Sequence, residues 1–156
     1  NGQTSGDHAF SVAQHCVLVE QIASHVNPKL ERPARLAALL HDAPEYVVGD
    51  MISPFKAALG VDYKDFENRL LAAIHIRFGL KPSVNEALAA EIKKADRASA
   101  YLEASQLAGF AVKEAEKFFG RPKNLDGEGS QKFHRLKPLA PNDAAAAYIK
   151  RFKQLS

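Results

Sequence analysis

Tryptophan is missing from this chain of 156 residues, and cysteine and methionine occur once each. A lone cysteine, Cys16, can close no internal disulfide, and the lack of any cysteine cluster excludes thiolate zinc sites of the finger type. That usage suits a reducing, cytoplasmic setting. No apolar run approaches the roughly 18 residues needed to span a bilayer, so no membrane helix is expected. The first eight residues lack a basic stretch leading into an apolar one, and so do not read as a signal peptide. Period-2 alternation is almost absent, which argues against strands. Nor is there a block of one charge. Lys and Arg number 21 against 18 Asp and Glu, interspersed, so the net charge of +3 hints at an anionic ligand without giving a nucleic-acid-binding stripe.

What the chain does have is apolar residues recurring at three and four positions, 46% of the composition overall, with abundant alanine. An all-α fold is expected, one domain over residues 1–156 with a single core. The periodicity predicts a first helix from about Ala9 to Val26, ended by Asn27-Pro28. A second, central helix is opened by Pro33 and runs into His41-Asp42. A third, from about Asp62 to Phe78, buries Phe66, Leu70, Ala73 and Ile74 and stops at Gly79. Ser83 and Glu86 form a capping-box pattern for a fourth helix reaching roughly Gly109, with Leu88, Ile92, Ala95, Ser99 and Leu102 inward. A short helix over Val112 to Phe119 and an alanine-rich terminal helix capped by Asn142 complete the series.

Chemistry concentrates at His41-Asp42, which closes the greasy run Leu36 to Leu40 and is followed by Ala43-Pro44-Glu45. With six His in the chain, chance supplies about 0.3 such dipeptides, so the pair needs corroboration. Burying both groups without a partner is costly, and imidazole plus carboxylate suits a divalent cation. Neighbours on a helix point about 100° apart, so the two can share one ion only near a helix end, where Pro44 places them. Corroboration comes from His15, on the buried side of the first helix, and Asp96, bordering the inward stripe of the fourth. Glu45 lies on the same side as Asp42 but a turn further on, placed to touch a water on the ion and take its proton.

His15, His41-Asp42 and Asp96 together resemble the H…HD…D signature of the HD-domain phosphohydrolase superfamily. His41-Asp42-Ala43-Pro44-Glu45, then Gly49-Asp50, Pro54 and Lys56, and the block Ile92 to Asp96 with Ala100-Tyr101-Leu102, are similar to its bacterial 5′-deoxynucleotidase (YfbR-like) branch. The likeness spans roughly residues 8–106. It implies an all-α HD fold with one divalent ion (Mn, Co, Fe, Ni, Zn or Mg) on His15, His41, Asp42 and Asp96. It further implies Glu45 and Asp50 as catalytic residues, with Glu45 positioning the attacking water and Asp50 on the sugar or phosphate side, and Lys56 as a substrate contact. The substrate would be a small phosphate monoester, a nucleoside 5′-monophosphate, and the protein a homodimer. An Arg-Trp pair precedes the first ligand His in that branch; here there is no Trp. Two other readings stay open at this level: a non-catalytic HD module that senses a nucleotide or regulates a partner, and a helical nucleic-acid-binding protein.

Overall fold

Proline and glycine decide where the helices stop, and the stops decide where the site forms. A computed structural model of the chain describes residues 6–49, 61–127 and 129–156. Its elements are α1 (Val12–Val26), α2 (Arg32–Leu39), α3 (Glu45–Val48), α4 (Val61–Arg77), α5 (Glu86–Gln106), α6 (Val112–Phe119), a 3-10 turn (Ser130–Phe133) and α7 (Pro141–Leu155). No strand occurs among the described residues, and the fold is all-α as expected. No helix among them is long and apolar enough to cross a membrane.

Three helix starts differ from the sequence expectation, each for a capping reason. α1 begins at Val12 because the Ser11 hydroxyl accepts the Gln14 N–H at 3.3 Å. α5 begins at Glu86 and is capped by Asn85, whose side-chain oxygen takes the Leu88 N–H at 2.8 Å; the expected capping box on Ser83 does not form. α7 carries Pro141 in its first turn, so Asn142 lies inside the helix and not at its cap.

α1 is the hub, packing against α5, α2 and α7, while α6 lies on α5 and α2 on α7. Between α1 and α5 the core gathers Leu18, Val19, Ile22, Ile92, Ala95 and Leu102. A second cluster joins Cys16 of α1 to Leu36 and Leu39 of α2, Leu40 at its C-cap and Leu155 of α7. α4 departs from its predicted burial: Phe66 is 41% exposed and Ala73 is exposed, with Leu70 and Ile74 only half-buried. Its C-terminal end is held by Phe78, which meets the Phe152 ring edge-on at 4.8 Å between centroids.

Candidate metal centre

The chain between α2 and α3 turns because Pro44 has no N–H to offer the Leu40 carbonyl. The Ala43 N–H takes that carbonyl instead at 2.9 Å, and Glu45 N–H bonds Asp42 O at 3.0 Å. His41 and Asp42 therefore leave the helical 100° spacing at the point where both must address one locus. The His41 Nδ1–H donates to Ala38 O at 2.9 Å, which aims Nε2 toward Asp42 Oδ2, 3.3 Å away. That contact is not aligned as a hydrogen bond: His41 Nε2 is buried without a hydrogen-bond partner among the described residues.

From α1, His15 projects its Nε2 to 3.4 Å from Asp42 Oδ2 and 3.3 Å from Oδ1 of Asp96 on α5. The two imidazole rings stand 5.4 Å apart. Ligand-capable atoms of His15, His41 and Asp42 all lie within 4.8 Å of one another, and Asp96 joins the group through His15. The structure thus brings together the four residues singled out in the sequence, from α1, the α2–α3 turn and α5. Asp50 and Lys56 lie outside the described residues. Glu45, in the first turn of α3, lines a depression of about 140 Å³ with His41 and Asp42, and α4 closes its other side with Glu67 and Asn68.

Glu103 escaped the sequence reading. Its Oε1 lies 2.7 Å from His15 Nδ1 and accepts the Ser99 hydroxyl, also at 2.7 Å, so the ring is fixed from behind while Nε2 faces the aspartates. The spacing Asp96, Ser99, Glu103 follows a helix face at three and seven residues, and that was the available signal.

Electrostatically the cluster demands positive charge. Burial disfavours a charged His15, but hydrogen bonds to Asp42, Asp96 and Glu103 outweigh it and push its pKa up to about 12. His41 is likewise lowered by burial and raised more by Asp42 and Cys16, to about 10. Burial would raise Asp42, yet the two imidazoles hold its carboxyl well below the usual range. A group of carboxylates and imidazoles that stabilises cationic charge this strongly, with the buried His41 Nε2 lacking an aligned hydrogen bond, fits a divalent ion. His25, by contrast, packs on Phe133, and His75 is buried at the end of α4; neither belongs to the cluster.

Comparison with known proteins agrees with this geometry. The HD domain profile matches residues 12–101, a span that takes in His15, His41, Asp42 and Asp96. An uncharacterized protein of Rhodobacter capsulatus is 49% identical over 151 residues, covering 97% of this chain and 75% of that protein. The uncharacterized protein YfdR of Escherichia coli is 30% identical over 149 residues, covering 96% of this chain and 73% of YfdR. Matched over more than half its length, the chain belongs to the HD domain family, and that family together with the His-Asp cluster points to a metal-dependent phosphohydrolase.

Proposed function

We propose that the protein hydrolyses a phosphate monoester, a nucleoside 5′-monophosphate, in the manner of the 5′-deoxynucleotidase branch its motifs resemble. The convergence of His15, His41 and Asp42 within 4.8 Å carries the reading. His15, His41, Asp42 and Asp96 would hold one divalent cation, which when bound supplies Lewis-acid polarisation of a phosphate oxygen and a water of lowered pKa. Glu45, lining the depression beside Asp42, would orient the attacking water and receive its proton. The depression that the described residues line, about 140 Å³, has room for a phosphate group beside Asp42 and Glu45. Glu103 and Ser99 hold the His15 ring so that Nε2, and not Nδ1, addresses the site. A homodimer and roles for Asp50 and Lys56 go with this reading as the resemblance implies them, and the lone Cys16 suits a reducing, cytoplasmic location.

Phosphate release from a panel of nucleoside and deoxynucleoside monophosphates, with Mn or Co added, tests the function. Release from at least one 5′-monophosphate, abolished by chelator, is expected. A protein that binds the metal yet releases phosphate from none of them is a sensor and not this enzyme. Glu45→Ala is expected to keep the metal while turnover falls about 10²- to 10⁴-fold; undiminished turnover removes Glu45 from the mechanism.

Glu103→Gln gives a separate readout. The amide can still accept from Ser99 but no longer offers a charged partner to His15, and metal affinity is expected to fall about 10- to 100-fold by titration calorimetry. Glu103→Asp, with charge restored on a shorter arm, should recover part of that loss. Equal affinity in wild type and Glu103→Gln would leave Glu103 a packing residue.

A further inference from the structure

Away from the imidazole cluster, the structure has a larger cavity, about 740 Å³, between the C-terminal half of α1, the N-terminal half of α5 and the segment after α6. None of His15, His41, Asp42 or Glu45 lines it. Its wall after α6 exists because Gly120, at φ 74°, ends the helix in a conformation closed to most side chains and turns the chain back, until Leu125 anchors it in the core. The volume falls in the range of small-molecule sites.

The lining has two parts. Its floor is apolar: Ile22, Ala23, Ala95 and Leu125 are core residues, and Phe119 adds a half-buried aromatic ring. Around them stand Lys94, Arg97, Arg121 and Lys123. Among the described lining residues the one acid, Glu91, is occupied by Asn27, whose amide reaches both its oxygens at 3.2 Å. Arg121 approaches Glu116 only at 3.9 Å, and Lys94, Arg97 and Lys123 have no ion-pair partner among the described residues. Among the described residues, four cations and a single engaged acid bordering an apolar floor complement a ligand that is anionic at one end and flat and apolar at the other.

We infer that this cavity is a second ligand site, separate from the metal centre, for a small aromatic phosphate of the nucleotide type. The base would lie on the floor beside Phe119 and the phosphates would meet Lys94, Arg97 and Lys123. The site stands independently of the hydrolytic reading.

A fluorescent nucleotide, N-methylanthraniloyl-ATP, titrated in chelator against the full chain tests it. Wild type and Asp42→Ala are expected to bind alike, with affinity that weakens as salt is raised. The double variant Arg97→Glu/Lys123→Glu, altered only at exposed positions, should bind about tenfold more weakly or worse, with an unchanged melting curve. Three results would each overturn the proposal: no binding by wild type, binding lost in Asp42→Ala, or binding unchanged in the charge-reversed variant. Phosphomonoesterase activity is scored separately, so the proposed reaction can fail while this site stands, and the converse.

Discussion

Asp42→Ala is expected to empty the metal centre and to cut phosphohydrolase turnover by about a thousandfold or more, since a bound cation contributes several kcal/mol of transition-state charge stabilisation. Asp42 is the residue to remove because it is shared. Its Oδ2 lies 3.4 Å from His15 Nε2 and 3.3 Å from His41 Nε2, so a single carboxylate oxygen links the imidazole of α1 to that of the α2–α3 turn. Asp96 approaches the same His15 Nε2, at 3.3 Å, but makes no ion pair with His41 among the described residues. The turn itself does not depend on the carboxylate: it is made by main-chain bonds from Ala43 and Glu45 and by the missing N–H of Pro44, and the Asp42 side chain is 31% exposed. The variant should therefore keep its circular dichroism spectrum while metal content, measured by atomic emission on protein purified with Mn, drops to background. Asp42→Asn, which keeps the shape and loses the charge, should lose the ion as well. Stoichiometric metal in Asp42→Ala would sink the ligand assignment, and with it the catalytic reading.

The distance between what the sequence and the structure each reveal is uneven, and the reasons are physical. Helix stops were legible because Pro28, Pro44, Gly79 and Gly120 act locally, by removing a donor or by allowing a positive φ. Helix starts were less so, since several residues compete for one cap: Ser83 offered a plausible box, and Asn85, two residues on, took the position. Periodicity told which residues of α4 share a face but not whether another element covers that face, and so Phe66 was placed inside when it is 41% exposed. The four residues of the cluster were legible because each is an ionisable group beside an apolar stripe. Glu103 was not, although it lies on the same face of α5 as Asp96, because its meaning depends on a His 88 residues earlier in the chain.

Glu20→Ala is expected to destabilise the protein by about 3–5 kcal/mol, the usual cost of removing one partner from a buried ion pair, and to lower Tm by about 10 °C. An acid in the middle of α1 gives no sign of its partners in the sequence, because Arg35 and Arg151 lie 15 and 131 residues away. In the structure Glu20 is fully buried. Its Oε1 accepts from Arg35 Nε at 2.8 Å, from Arg151 Nη2 at 2.8 Å and from the Ser24 hydroxyl at 2.9 Å, while Oε2 takes Arg151 Nε at 2.7 Å. Three helices, α1, α2 and α7, are thereby tied at one carboxylate, with Arg151 in the bidentate geometry that makes such pairs strong. Alanine would leave two guanidinium groups, with side chains 32% and 22% exposed, without their carboxylate partner. Burial by itself raises the Glu20 pKa, but the two arginines and Ser24 outweigh it and hold it below the ordinary value of 4.5. A carboxylate depressed in the folded state stabilises fully above its unfolded pKa, and that contribution is lost as pH falls through the folded value. Wild-type stability should thus decline in acid below about 4.5, and Glu20→Gln, which cannot titrate, should show a shallower decline in denaturant midpoints over the same window. Because α1 carries His15 and α2 leads into His41-Asp42, loosening this junction also loosens the frame of the metal centre. Glu20→Ala should accordingly bind metal more weakly than wild type even well below its own melting temperature, whereas a Glu20→Ala protein that melts like wild type would show that the buried triad contributes nothing to holding these helices.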